Sequence, residues 1–249
     1  MEHLKNLLLR MADDSLIMGH RNSEWTGIGP IMEEDIAFSS MAQDKIGHAL
    51  ALYSILKNEF NMPDPDRLAF FRKETEMLNC QLVELPIGEY DFSLVRHFLF
   101  DHADFLRYEM LSTSSFAPLA QLSKKIKGEL KYHVLHADTW LTRLGNATEE
   151  SHARMQSALN ELWNYALGIF EPSDYEAELI AEKIFDGEKV LQQKWMEKIS
   201  HIIEKANLKI PSATAPVYGG RKGYHTEHLQ PLLTEMAEVI SSEPEGTEW

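Results

Sequence analysis

Apolar residues recur along this chain at three- and four-residue spacing rather than in alternation, the periodicity of helices with one buried face. One such face carries Phe38, Met41, Lys45, His48 and Leu52; a second carries Leu94, Phe98, Asp101, Phe105 and Tyr108. A third carries Leu119, Leu122, Ile126, Leu130, His133, Ala137 and Trp140. Punctuation by glycine, proline and small polar residues predicts helices over roughly 3–20 and 31–60, parted by Trp25-Thr26-Gly27-Ile28-Gly29-Pro30. A short helix follows Met62-Pro63-Asp64-Pro65 and runs to about 77. A polar connection including Leu85-Pro86-Ile87-Gly88 then leads to a third long helix near 91–112. Pro118 opens a fourth, which stops at Gly145-Asn146. Further helices are expected near 149–170, 174–184 and 187–206, then a loop from Ile210 to Gly223, then a last helix beginning near Thr226 as its N-cap. No segment repeats with a fixed period. The pattern predicts an all-α, ferritin-like four-helix bundle with additional C-terminal helices: one domain over 1–249, its core bundle at about 3–145 and further helices at about 149–240.

Three of the apolar faces are broken at mid-length by ionisable residues: Lys45 and His48, Asp101, and His133. Unpaired buried charge costs several kcal/mol or forces the group to neutralise, so these residues are expected to meet at the bundle centre. A single histidine on an apolar face is ordinarily a hydrogen-bonded core residue; coincidence on three helices points to a shared site. Ferritin-like di-iron proteins fill that place with one Glu on each of two helices and a Glu-x-x-His pair on each of the other two, because iron needs anionic oxygen ligands. Here the residue three positions before His48 is Lys45, and the one three before His133 is Leu130. Asp101 supplies one lone carboxylate, while Asp13, Asp14 and Ser15 crowd the level on the first helix without a glutamate. The count predicts a degenerate di-iron site formed by Lys45, His48, Asp101, Leu130 and His133, with no metal and no catalytic residue, and Lys45 paired to Asp101. A rearranged site using Asp44 with His48, or Glu129 with His133, has suitable four-residue spacing, but those acids point away from the apolar stripe.

Composition narrows the partners. Asp and Glu number 39 against 24 Lys and Arg, and the net charge of -15 repels phosphate backbones and anionic lipid, so neither nucleic acid nor membrane is expected. No apolar run is long enough to cross a bilayer, the N-terminus has no signal-like stretch, and the single Cys80 excludes an internal disulfide; a cytoplasmic location follows as an expectation. Trp25, Trp140, Trp163 and Trp195 are core or interface anchors by type.

Specific stretches resemble a known family. Ala42-Gln43-Asp44-Lys45-Ile46-Gly47-His48 through Tyr53-Ser54 is similar to the second-helix motif of the phenylacetyl-CoA epoxidase family, whose catalytic di-iron polypeptide has glutamate where Lys45 stands. Gly219-Gly220-Arg221-Lys222-Gly223-Tyr224-His225-Thr226-Glu227-His228-Leu229, with Leu233, Glu235 and Met236 beyond, resembles the hallmark of that family's PaaC branch. Ser23-Glu24-Trp25, Leu82-Val83-Glu84-Leu85-Pro86 with Gly88, and Leu141-Thr142-Arg143-Leu144-Gly145-Asn146 extend the likeness from about residue 5 to Trp249. The resemblance implies a structural subunit of a multicomponent monooxygenase that epoxidises the ring of phenylacetyl-CoA. Its iron would lie in the catalytic di-iron subunit, and its flavin and iron-sulfur centres in a reductase subunit. This chain has neither the cysteines nor a nucleotide fingerprint for those cofactors. The other readings are a self-sufficient oxygenase with a rearranged site and a bundle that stores iron or holds an apolar ligand.

Gly219-Gly220-Arg221-Lys222-Gly223 is not a P-loop, since no Gly-Lys-Ser/Thr follows, and His225-Thr226-Glu227-His228 lacks the His-Glu-x-x-His spacing of a zinc helix. Arg221 and Lys222 are the candidate contacts to the phosphates of coenzyme A or to an acidic partner. The expected partners are the catalytic di-iron subunit, the remaining subunits of the epoxidase and, for the isolated chain, a second copy of itself in a homodimer.

Overall fold

The computed structural model describes residues 1–212 and 215–242. Among these the chain forms ten α-helices, joined by loops and single 3₁₀ turns, and no strand. Four are long: α1 (Glu2–Ser23), α2 (Met32–Phe60), α5 (Tyr90–Leu111) and α6 (Ala117–Gly145). Their ends lie within a few residues of the boundaries expected from punctuation. The left-handed Asn61 ends α2, and Pro118 sits in the first turn of α6, where its missing N–H costs no helix bond. This is the all-α, ferritin-like arrangement: α1 packs along α2, α5 along α6, and the two pairs close around a common centre.

The remaining helices brace α5. α7 (Glu149–Leu167), whose N-cap Thr148 accepts from the Ser151 amide, and α9 (Glu188–Lys205) both lie against α5 and α6. As a result every residue from Ser93 to Asp104 is buried, and α5 has no solvent face over three turns. One continuous apolar core runs from Leu4 to Leu233. Trp163 stacks on Trp195, whose indole N–H donates to the Leu99 carbonyl, and Trp25 donates to the Ser93 hydroxyl. Trp140 is only partly buried, against the edge of that core.

Four expectations need correction. The short helix to about 77 is instead α3 (Pro65–Phe70) followed by a 3₁₀ turn at Glu74–Glu76. Within the supposed connection lies a single turn of helix, α4 (Gln81–Glu84), stopped before Pro86. The helix expected at 174–184 contracts to α8 (Glu176–Ala181). α10 runs from Leu229 to Ser242, three residues later than expected, because the Thr226 amide and hydroxyl both donate to Glu84 and hold that residue outside the helix.

Candidate functional site

Lys45, from mid-α2, is fully buried at the bundle centre. Its ammonium lies 2.6 Å from Asp101 Oδ1 and 2.6 Å from Asp104 Oδ2, both on α5, and 4.7 Å over the Phe100 ring. Asp101 and Asp104 are three apart, so one helix turn offers both carboxylates to a single cation. Burial works against the Lys45 charge, but the two aspartates outweigh it and its pKa is raised. Burial likewise pushes Asp101 up, and Lys45 with His97 and His133 outweighs that, leaving it well below the usual carboxylate range. The ammonium is therefore a fixed charge at neutral pH.

Histidines surround this pair. His133 on α6 has Nδ1 3.2 Å from Asp101 Oδ2 and Nε2 3.0 Å from Asp44 Oδ2. Ionised carboxylates only accept, so both ring nitrogens donate and the ring is an imidazolium. Consistent with this, its pKa is raised: burial lowers it, but hydrogen bonds to Asp101 and Asp44 prevail. His48 takes the opposite state. Burial and then the nearby Lys45 and His133 charges bring it down to about 3, so it is a neutral ring whose Nε2 lies 2.8 Å from Glu129. His97 is brought down to about 4 by burial, in spite of Asp101 at 2.6 Å, a close approach off the N–H direction whose effect is electrostatic. From His97 contacts continue to His136 (3.4 Å), then to Glu34 (2.8 Å), which also accepts from Tyr90 (2.6 Å). The centre thus holds two cations, Lys45 and His133, facing three carboxylates, Asp101, Asp104 and Asp44.

Of the five positions expected to form a degenerate site, Lys45, Asp101 and His133 are in direct contact, His48 is coupled to them by charge, and Leu130 is fully buried without polar function. Asp44 and Glu129, set aside because they point off the apolar stripe, reach across to the histidine of the opposite helix rather than pairing along their own. Asp13 and Asp14 face away from the centre. Asp13 binds Arg72, Tyr53 and the Leu78 amide; Asp14 binds Arg221 and the Cys80 amide.

Arg221 is corrected by the structure. Instead of standing exposed toward coenzyme A or a partner, it is buried, 2.7 Å from Asp14, and donates to the carbonyls of Arg10, Leu78 and Ile169. Lys222 alone remains exposed, 3.9 Å from Asp174. The glycines make this possible. Gly223 has φ +78°, and a Cβ on Gly220 or Gly223 would collide with the backbone of Asn79 or Thr75. His225 donates to Glu84 (2.6 Å) and to the Met77 carbonyl (3.0 Å), so this histidine too locks loop to core.

A di-iron centre requires four carboxylates and two imidazoles converging on open space. Here the two central aspartates converge on an ammonium, both His133 nitrogens and His48 Nε2 face carboxylates, and among the described residues no three His, Cys, Asp or Glu side chains are placed to hold a metal ion. The donor set does not fit two irons.

Comparison with known proteins follows the same line. The family profile described as "Phenylacetic acid catabolic protein" matches residues 1–249. The chain is 33% identical to the C component of the 1,2-phenylacetyl-CoA epoxidase of Escherichia coli (strain K12), over 249 residues and the full length of both chains. With a match across its entire length, the chain belongs to the phenylacetic acid catabolic protein family.

Proposed function

We propose that this chain is a non-catalytic structural subunit of a phenylacetyl-CoA epoxidase assembly, pairing with the di-iron subunit that performs the chemistry. The observation that carries the reading is Lys45: a permanent cation, buried between Asp101 and Asp104, stands where a metal-binding bundle needs an anionic ligand. The bundle centre is then cross-linked by an ion pair and an imidazolium rather than by iron, and the scaffold survives without redox chemistry. The name of the Escherichia coli relative supports the assembly.

The competing oxygenase reading would place metal at Asp44 with His48 or at Glu129 with His133, but each acid instead faces the histidine of the opposite helix, as Asp44–His133 and Glu129–His48 pairs. Each pair has only two members and lies next to the Lys45 and His133 charges, which repel a metal cation. The test is reconstitution. The chain alone should not consume oxygen with phenylacetyl-CoA, whereas with the di-iron subunit it should co-migrate and raise that partner's turnover. Turnover by the chain alone, or failure to associate, would refute the proposal.

A further inference from the structure

One corner of the bundle is attached differently from the rest. Trp25, Phe38 and Met41 form an apolar cluster of their own, joined by Ala37, Ile87 and Tyr90 and separate from the main core. The segment that carries the first three, residues 25–41, is tied internally. The Gly27 amide donates to the Asp35 carboxylate at 2.9 Å, and the Thr26 and Ser39 hydroxyls are 2.9 Å apart. Gly27 has φ +87°, and a Cβ on Gly29 would collide with the Asp35 backbone, so glycine at both positions lets the loop fold back onto α2. Loop and first turns of α2 thus form one flap. Its polar links to the body run through Trp25, which donates to Ser93, and through Glu34, which accepts from Tyr90 of α5 at 2.6 Å and lies 2.8 Å from His136 Nε2 of α6. The Phe38 ring closes over His97 and His136, with centroids 5.9 and 6.0 Å away.

We infer that His136 is a proton-operated latch on this flap: as an imidazolium it holds the flap closed, and on losing a proton it lets the first turns of α2 lift away from His97. Hydrogen counting along one chain of contacts requires this. Asp101 lies 2.6 Å from His97 Nδ1, His97 Nε2 lies 3.4 Å from His136 Nδ1, and His136 Nε2 lies 2.8 Å from Glu34. Both ends of the chain are anions: Asp101 is held ionised by Lys45, and although burial pushes Glu34 up, the hydrogen bonds from His136 and Tyr90 outweigh it and lower its pKa. A bare ring nitrogen 2.6 Å from a carboxylate would set lone pair against lone pair, so His97 Nδ1 carries a hydrogen even though the approach lies off its direction. His97 is a neutral ring, so its Nε2 accepts, and His136 Nδ1 is the donor. Glu34 needs a second donor from the same ring, so His136 carries both hydrogens. Removal of one leaves no arrangement that keeps every link. Either a bare nitrogen of His136 faces Glu34, or it faces the bare Nε2 of His97, or His97 changes tautomer and turns a lone pair on Asp101. The ionisable groups around His136 are Glu34 from α2, Tyr90 and His97 with Asp101 behind it from α5, and His133 and the exposed Arg143 on α6 itself. The flap is therefore closed on the acid side of the His136 titration and released on the alkaline side.

The latch is a property of the chain by itself and does not depend on the proposed role in the epoxidase. The experiment is hydrogen exchange of the full chain, read by mass spectrometry between about pH 6 and 8.5. Protection of residues 33–41 is expressed relative to that of α9, which cancels the intrinsic acceleration of exchange with pH. Relative protection of the flap should fall by about 10- to 100-fold as pH rises, the effect of one lost hydrogen bond to a charged group. Long-range nitrogen–proton NMR should show both His136 nitrogens protonated at the low end and one at the high end. Glu34→Gln removes the anion that favours the imidazolium and should move the midpoint to lower pH by about one unit. His136→Gln should leave a flap whose relative protection does not change with pH, which also separates this step from the titration of His133. A merely structural contact would lose protection in these variants without moving a midpoint. Flap protection that is independent of pH in the natural chain, a midpoint unmoved by Glu34→Gln, or a singly protonated His136 at the low end would overturn the inference.

Discussion

Replacing Lys45 by Met removes the ammonium and leaves Asp101 and Asp104, whose side chains are 0% and 8% exposed, facing each other without their shared cation. Breaking a buried pair by removing one partner costs about 3–5 kcal/mol. Asp101 keeps His97 and His133 nearby, so the larger part of the loss should come from Asp104, whose remaining positive neighbour is Arg107. Against a total stability of roughly 5–15 kcal/mol this is a large fraction. With an m-value near ~3 kcal/mol/M, a loss of about 4 kcal/mol lowers the urea midpoint by about 1.3 M. Circular dichroism during urea titration at pH 7 reads this directly. Two controls separate charge from volume. Adding Asp104→Asn should recover about half of the loss, since it removes the orphaned charge. Lowering the pH should narrow the gap between variant and natural chain, because burial raises both carboxylates once Lys45 is gone and they take up protons. A variant as stable as the natural chain at pH 7, or a gap that does not change with pH, would refute the account of the centre.

Other consequences follow from the same groups. His48 and His97 have folded pKa values near 3 and near 4, below the unfolded value of about 6.5, so their contribution to stability is present above pH 6.5 and is lost as pH falls. Between pH 6.5 and 4 the two together should steepen the loss toward at most roughly 3 kcal/mol per pH unit, read as a falling melting temperature; a flat profile there would contradict their neutral states. His133 has the opposite sign: its raised pKa makes its contribution complete below pH 6.5 and lost as pH rises through the folded value, so His133→Gln should abolish a separate loss of stability on the alkaline side. Arg221→Met should cost about 3–5 kcal/mol or prevent folding, because Asp14 is left buried and unpaired, whereas Lys222→Ala should change stability by less than about 0.5 kcal/mol; equal effects in chemical denaturation would remove the distinction drawn between them. Lys45→Glu combined with Leu130→Glu should take up ferrous iron that the natural chain does not, measured by elemental analysis.

How much of this is visible in the sequence depends on how each helix is buried. α2 and α6 each keep a solvent face, so three- and four-residue spacing separates inside from outside and brings Lys45, His48 and His133 to the centre. α5 is buried all round from Ser93 to Asp104, and there periodicity carries no information about direction. Asp101 falls on the chosen stripe, while Asp104 and His97, equally central, do not. The spacing of His97, Asp101 and Asp104, four then three, is the available signal. Asp44 and Glu129 escape notice as partners because their pairing is across helices, and a side chain at the edge of a stripe can reach a neighbour that its own helix does not reveal.

Arg221 shows a different limit. A basic residue in a glycine-rich loop has the composition of an exposed segment, and its partner Asp14 lies 207 positions away. The glycines, suggestive of flexibility, in fact allow the loop backbone to pass within contact of Asn79 and Thr75 and carry the guanidinium into the core. α4 is a single turn, too short for any periodic pattern to register.

The most direct test of the account is the iron content of the purified chain after anaerobic reconstitution with ferrous iron and removal of unbound metal. A bundle centred on Lys45 between Asp101 and Asp104 should retain close to none, and Lys45 should resist displacement at any iron concentration that leaves the fold intact. Retention of about two irons per chain, with the spectroscopic signature of a coupled pair, would contradict it and make the chain an oxygenase in its own right.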